Sequence, residues 1–132
     1  VRMGDPETEA VLPRIQNDFV EIFQSFKDKT LDQIELKIDN RSAATVVLVS
    51  GGYPRSYNKG IKITGIDLVV DSTVYHAGTI QKDGSVYTNG GRVLAITSFG
   101  DNFHQALDNS YKSASKINFE SMYYRKDLGF DL

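Results

Sequence analysis

Apolar side chains recur at every third or fourth position along the first part of the chain. They are Val11, Leu12, Ile15, Phe19, Ile22, Phe23 and Phe26. This spacing is typical of a helix that buries one face, so we expect the phenylalanines in the core. Asp5 and Pro6 predict a helix start, because aspartate can cap free amides and proline is tolerated in the first turn. Pro13 lacks a backbone donor, which predicts a short first helix and a main helix from Pro13 to about Lys27.

The pattern then changes to short β-branched runs separated by turns. A brief helix is predicted over 30–36, with Thr30 as its cap, before the first strand at 44–49. Shorter strands are predicted at 61–66, 73–77 and 86–88, with a hairpin turn at 82–85. Val93–Ile96 is a continuous apolar run, which favours a strand covered on both faces.

A last helical pattern follows the strands. Its shared face is formed by Phe103, Ala106, Leu107, Ser110, Tyr111 and Ala114. We expect this helix to end near Lys116 and to pack on the strands. The order of elements predicts an α+β fold, with an N-terminal helix, a small curved antiparallel sheet or partial barrel, and a packed helix.

Three glycine turns have polar neighbours and could line one side of a ligand cleft: Gly51-Gly52, Gly78 and Gly90-Gly91. None has the spacing of a P-loop or of a dinucleotide-binding motif. Arg92 follows the last turn and admits two interpretations. It is either a strand-edge charge paired to an acid, or a guanidinium directed at a phosphate or carboxylate.

Composition limits the function classes. The chain has 132 residues, of which 40% are hydrophobic and 24% charged, as in one compact domain. A net charge of −2 disfavours nucleic acid as a partner. There is no cysteine, and His76 and His104 are the only histidines, so a zinc site is improbable. No apolar run approaches the roughly 20 residues of a membrane span, and we expect a cytoplasmic setting without membrane contact.

No complete catalytic set is visible from residue types alone. Asp5, Glu7 and Glu9 are close in sequence, but helix capping explains them as well as catalysis does. His76 lies in a predicted strand and is interpreted as a structural, hydrogen-bonded histidine.

Five segments together carry a family resemblance. They are Val1–Glu9 (VRMGDPETE), 50–65 with SGGYP and KG, 76–79 (HAGT), 88–94 (TNGGRVL) and 122–127 (MYYRKD). In this order they resemble the C-terminal part of phosphoribosylamine–glycine ligases, the glycinamide ribonucleotide synthetases of purine biosynthesis. The resemblance spans essentially the whole chain.

This resemblance implies an ATP-grasp ligase that joins glycine to 5-phosphoribosylamine through glycyl phosphate, with ATP and Mg²⁺ or Mn²⁺ in the full-length enzyme. Residues 1–36 would end the ATP-grasp core, and 37–132 would form a barrel-sandwich-like C-terminal domain. The family's glutamate and asparagine metal ligands would precede Val1, as would the nucleotide-binding regions of the same polypeptide. We therefore expect the chain to be inactive alone and to hold no cofactor tightly.

The resemblance also implies roles for particular residues. Catalytic roles near the acyl phosphate fall to Arg2, Asp5 and Glu7, with no metal ligand in this chain. Substrate contacts from the C-terminal domain fall to Asn89, Gly90, Gly91 and Arg92.

The sequence also admits a different class of protein. Biotinyl or lipoyl carriers of the barrel-sandwich type present a modified lysine at a hairpin tip. Lys82 is the only lysine so placed here, and it lacks the flanking methionines of a biotin site. A non-catalytic carrier module is the alternative prediction.

Overall fold

The computed structural model describes residues 3–130. The helices are α1 (Glu7–Val11), α2 (Phe19–Asp28) and α3 (Phe103–Ala114). The strands are β1 (Ser42–Val49), β2 (Lys62–Ile63), β3 (Thr73–His76), β4 (Thr79–Lys82), β5 (Ser85–Thr88) and β6 (Arg92–Gly100). Short 3₁₀ turns occupy Leu12–Arg14, Leu31–Gln33 and Ile66–Leu68. The predicted α+β fold is confirmed.

The strands of residues 3–130 form two antiparallel three-stranded sheets instead of the single curved sheet expected. Their orders are β1-β6-β3 and β2-β5-β4. β6 lies at the centre of the first sheet and pairs with β1 along its whole length. The Asp83-Gly84 turn joins β4 to β5 as a tight hairpin, with both turn residues at positive φ, as the sequence predicted.

The two faces of β1 have different surroundings. Ala44, Val46 and Leu48 are buried on the face that α3 covers. The hydroxyl of Ser110 on α3 donates to the Ala44 carbonyl at 2.8 Å, which ties the helix to the sheet. The alternate residues of β1 point to the other face and are only half-buried. That second face is where the candidate site lies.

β6 supplies most of the central core. Its residues from Val93 to Ser98 are all buried, because α3 covers one face and α1 contacts the other. The prediction of a strand covered on both faces is therefore correct. None of the helices in residues 3–130 is long and apolar enough to cross a membrane.

The main helix begins later than predicted. α2 starts at Phe19, where the Asp18 carboxylate caps the helix by accepting from the Val20 amide at 2.7 Å. Pro13 lies instead in a 3₁₀ turn, and Ile15 forms a β-bridge with Ile38. This pairing uses backbone groups that a helix from Pro13 would need for itself.

The helix predicted at 30–36 is reduced to the 3₁₀ turn Leu31–Gln33. The chain after this turn is extended and bonds to the segment before α2. The Lys37 amide donates to the Asn17 side chain at 2.6 Å, and the Asn17 amide group donates to the Glu35 carbonyl at 3.0 Å. Tertiary hydrogen bonds of this kind override a weak helical propensity.

The phenylalanines of α2 are not core residues, contrary to the prediction. Phe23 is 65% exposed and Phe26 is 58% exposed, and Ser25 is the buried residue of this helix. The predicted apolar stripe is one helix face only from Phe19 onward, because Leu12 lies in a 3₁₀ turn and Ile15 in a β-bridge. On this face of α2, Phe19 is half-buried, whereas Phe23 and Phe26 are exposed.

The approach to β1 contains a pH-sensitive ion pair. Arg41 donates to both carboxylate oxygens of Asp39, and these bonds lower the pKa of Asp39 from 3.8 to about 2. Because the folded pKa lies below the unfolded one, this stabilisation is present above about pH 4 and is lost as the pH falls toward 2.

Asp39→Asn is therefore expected to reduce the slope of unfolding free energy against pH between 4 and 2. Urea unfolding of the full-length protein at a series of pH values measures that slope. Asp127→Asn should reduce the slope as well, because Arg125 also lowers the pKa of that carboxyl. An Asp39→Asn slope equal to wild type would contradict the assignment.

Candidate functional site

The three glycine turns come together at one end of the central sheet. The Ser50 amide donates to the Gly91 carbonyl at 2.8 Å, and the Ser50 hydroxyl donates to the Gly90 carbonyl at 2.9 Å. The Asn89 amide donates to the Gly78 carbonyl at 2.7 Å. Turns that are up to 40 residues apart in sequence are thus joined into one cluster.

Close packing explains why glycine is required in this cluster. A Cβ added to Gly78 would lie 2.5 Å from the Arg92 carbonyl oxygen and 2.7 Å from the Gly90 Cα. A Cβ on Gly91 would overlap the ring of Tyr53. The space beside these two glycines is filled by protein atoms. The glycines therefore support the neighbouring groove and do not open a path for a ligand.

A groove of about 370 Å³ runs over the second face of β1. Thr45, Val47 and Val49 line it along the strand, and side chains from three other regions complete it. Those side chains are Pro6, Tyr53, Arg92, Tyr123, Tyr124, Arg125 and Leu128. Its volume is within the range of small-molecule sites, and apolar, aromatic and guanidinium groups line it.

Arg92 is the predicted residue that lines this groove. One guanidinium nitrogen lies 3.3 Å from an Asp5 carboxylate oxygen, and another donates to the Asp5 carbonyl at 3.2 Å. The Arg92 and Asp5 side chains are 42% and 46% exposed. An ion pair this open is worth about 0–1 kcal/mol. The structure therefore shows the acid-paired interpretation of Arg92, in a position that also faces the groove.

Asp5 does not cap α1, contrary to the capping interpretation. The N-cap residue is Pro6, and no side chain caps the helix. The Thr8 amide and hydroxyl instead donate to the Gly4 carbonyl, at 3.1 and 2.7 Å. The Asp5 carboxylate is consequently available to pair with Arg92, which joins the start of α1 to the start of β6.

The other predicted site residues are dispersed. Glu7 is exposed, and its carboxylate folds back against Gly4. Asn89 is exposed and, with Gly90 and Gly91, belongs to the turn cluster behind Arg92 without lining the groove. Arg2 lies outside the described residues.

The C-terminal segment supplies groove residues that sequence reasoning did not select. Tyr123 and Tyr124 line the groove, and the Tyr123 backbone pairs with Val49 of β1. Arg125 donates to both carboxylate oxygens of Asp127 at 3.0 Å, which lowers the pKa of that carboxyl. The signal in the sequence was a pair of tyrosines next to three charges in an irregular segment.

His76 occupies the position expected for a structural, hydrogen-bonded histidine, and Lys82 the position expected for a hairpin lysine. The Nδ1 atom of His76 forms a 3.0 Å hydrogen bond with the Thr79 hydroxyl. Lys82 ends β4 at the hairpin tip, as a carrier lysine would. However, the strands of residues 3–130 form two separate sheets and not a closed barrel.

Residues 3–130 contain no group of three His, Cys, Asp or Glu side chains arranged to hold a metal ion. The two arginines that line the groove are each paired with an acid, Arg92 with Asp5 and Arg125 with Asp127. The donor set of this part of the chain therefore does not fit a metal site.

The α+β domain with its glycine-turn cluster matches a known class of domain. Residues 43–131 match the family model described as phosphoribosylglycinamide synthetase, C domain. The chain belongs to the phosphoribosylglycinamide synthetase family, and the resemblance identified from the five segments is confirmed.

The similarity extends over nearly the whole chain. The chain is 43% identical to a phosphoribosylamine–glycine ligase of Caldanaerobacter subterraneus, over 96% of its own length and 30% of the length of that relative. It is 45% identical to a bifunctional purine biosynthetic protein of Schizosaccharomyces pombe, over 97% of the chain and 16% of that protein. The chain thus spans about a third or less of the length of these relatives.

A solved structure agrees with the fold. The phosphoribosylamine–glycine ligase of Thermotoga maritima superposes with a TM-score of 0.76 at 33% sequence identity. The match covers 96% of this chain and 31% of that protein.

Proposed function

We propose that this chain is the C-terminal part of a phosphoribosylamine–glycine ligase. The observation that carries the proposal is similarity over 96% of the chain to an enzyme of that name, together with the family match to its C domain. The reaction converts glycine and ATP to glycyl phosphate and ADP. The amine of 5-phosphoribosylamine then attacks the acyl carbon, and phosphate leaves.

The proposal assigns nucleotide binding to an ATP-grasp region outside this chain, in a cytoplasmic enzyme of purine biosynthesis. The Mg²⁺ or Mn²⁺ that accompanies ATP would be held there as well. Residues 1–36 would complete that region, and 37–132 would form the C-terminal domain. The start of the family match at residue 43 supports a boundary near this point.

This chain would contribute one wall of the substrate site through the groove on β1. Arg92 provides a fixed planar donor for a carboxylate or phosphate, and Asp5 holds it in place from α1. Asn89, Gly90 and Gly91 would hold Arg92 at the groove. Glu7, at the start of α1, and Arg2 would supply catalytic groups.

The assay is ADP release by the full-length protein with glycine and 5-phosphoribosylamine. We expect release to require both substrates, and we expect the isolated 132-residue chain to release no ADP. Loss of release on omitting either substrate is the specific signature. Full-length protein that releases ADP without the amine, or does not turn over at all, would contradict the proposal.

A further inference from the structure

Two arginines line the β1 groove, and the proposed function gives a role to only one of them. Arg92 enters from the start of β6, and Arg125 enters from the C-terminal segment. Val49 of β1 pairs with Arg92 on one side and with Tyr123 on the other. Neighbouring strands lie about 4.8 Å apart, so the backbones of Arg92 and Tyr123 are separated by about 10 Å. The two arginines therefore belong to opposite walls of the groove.

The segment that carries Arg125 is fixed to the rest of the domain. The amides of Val49 and Tyr123 donate to each other's carbonyls, at 2.9 and 3.1 Å. The Tyr111 hydroxyl of α3 donates to the Arg125 carbonyl at 3.0 Å and accepts from the Leu128 amide at 3.3 Å. The backbone of Arg125 is consequently held between β1 and α3, as a residue that positions a ligand requires.

The opposite wall, which carries Arg92, is fixed as well. The Thr97 hydroxyl of β6 donates to the Glu9 carbonyl of α1 at 2.8 Å, and it shares a 2.8 Å hydrogen bond with the Thr45 hydroxyl of β1. These bonds tie α1 to the sheet, and the start of α1 in turn holds Asp5 beside Arg92. The spacing of the two walls is therefore set by the fold.

The guanidinium group of Arg125 is oriented by Asp127 and still has free donors. Its Nε and Nη2 atoms donate to the two Asp127 carboxylate oxygens, each at 3.0 Å. These bonds use two of its N–H groups, and the others remain for a ligand. The two side chains are 57% and 61% exposed, so the pair contributes little to stability. What it does provide is a planar fork held in one orientation.

The groove between the two arginines is apolar and aromatic. Val47 and Val49 line it along β1, and Tyr53 and Tyr123 line it from its sides. A ligand that fits this arrangement has a ring in the middle, whose C–H faces pack on the tyrosines, and an anionic group at each end. A phosphoribosyl amine that meets an acyl phosphate has this form, since the ribose separates its 5-phosphate from the reacting amine.

We propose that Arg125 binds the 5-phosphate of 5-phosphoribosylamine, while Arg92 faces the acyl phosphate. The inference rests on the proposed function, in which residues 1–36 complete the region where glycyl phosphate forms. Arg92 pairs with Asp5 of that part of the chain, whereas Arg125 pairs with Asp127 of the C-terminal segment. Arg125 is thus the guanidinium on the side remote from the bond that forms.

Arg125→Ala in the full-length protein is expected to raise the KM for 5-phosphoribosylamine on the order of tenfold or more. The 5-phosphate does not react, so its contact is equal in the bound substrate and in the transition state. The values of kcat and of the KM for glycine should therefore change less than about threefold. Arg41→Ala is the matched control, because Arg41 forms the same kind of pair with an aspartate two residues away and does not line the groove.

The contact itself is measured by calorimetric titration of the full-length protein with the product, glycinamide ribonucleotide, and with its dephosphorylated form. Arg125→Ala should weaken binding of the ribonucleotide on the order of tenfold or more and leave binding of the dephosphorylated form unchanged. The double variant Arg125→Ala/Asp127→Ala should bind the ribonucleotide as weakly. Recovery in the double variant would mean that the exposed Asp127 carboxylate repels the phosphate, and would overturn the proposal.

Two other results would also overturn it. One is equal affinity of the Arg125→Ala and wild-type proteins for the ribonucleotide, and the other is an equal loss for both forms of the product, which would indicate a structural effect. The proposed function fails on a different result, a wild-type protein that releases no ADP with both substrates present. A protein that turns over and is insensitive to Arg125→Ala contradicts only the phosphate contact.

Discussion

Arg92→Ala in the full-length protein is expected to lower kcat/KM for substrate-dependent ADP release on the order of a hundredfold or more. Arg92 lines the β1 groove, and its guanidinium would be a fixed donor to substrate oxygen atoms there. The fold should persist, because the Arg92 side chain is 42% exposed and its ion pair is worth about 0–1 kcal/mol. Steady-state kinetics and circular dichroism of the purified variant measure the two effects.

Two further variants separate substrate contact from a structural role for Arg92. If Arg92 acts only by holding α1 through Asp5, then Asp5→Ala should cause the same loss, and the double variant should cause no more. If Arg92 contacts substrate, Arg92→Lys should recover only part of the activity, since an ammonium does not reproduce the planar fork. Unchanged kinetics in Arg92→Ala would remove Arg92 from the proposed site.

Gly78→Ala is expected to destabilise the protein by about 1–3 kcal/mol. The added methyl group would lie 2.5 Å from the Arg92 carbonyl and 2.7 Å from the Gly90 Cα. Both neighbours are backbone atoms. The Asn89 amide also donates a 2.7 Å hydrogen bond to the Gly78 carbonyl, which holds the two turns together. The turns must therefore separate, which would also displace Arg92.

Gly84→Asn is the matched control for Gly78→Ala. Nothing lies within 4 Å of a Cβ at Gly84, and asparagine tolerates the positive φ of 71° at this hairpin turn. We expect a change of less than about 1 kcal/mol there. Chemical denaturation of the full-length protein measures both variants. Equal stability of the Gly78→Ala and wild-type proteins would show that the turns are not packed as described.

Local chemistry explains which parts of the fold the sequence predicted well. The β-branched run at 44–49, the Asp83-Gly84 turn and the α3 stripe each carry a pattern within a dozen residues, and all three form the predicted elements. The start of α2 was misjudged because the choice between Pro13 and Asp18 depends on pairing of Ile15 with Ile38. Such pairing between distant residues is not visible in local spacing.

The candidate site was likewise predicted only in part from the sequence. The sequence identified the glycine turns, Arg92 and Asp5, but it suggested that Asp5 caps α1. It passed over Tyr123 and Glu9, whose positions depend on how the C-terminal segment and α1 pack on the sheet. Tertiary contacts set the environment of Tyr123, and they also distinguish Glu9 from the neighbouring acids Asp5 and Glu7.

The sequence by itself determined the family resemblance, the α+β class and the hairpin turn at Asp83-Gly84, because motifs and periodicity are properties of neighbouring residues. Only the tertiary structure decided that Arg92 pairs with Asp5, that Phe23 and Phe26 of α2 are exposed, and that Gly78 and Gly91 have no room for a Cβ. These features depend on which surfaces meet across long sequence separations. A helical stripe predicts an apolar face, but only packed neighbours decide whether that face is covered.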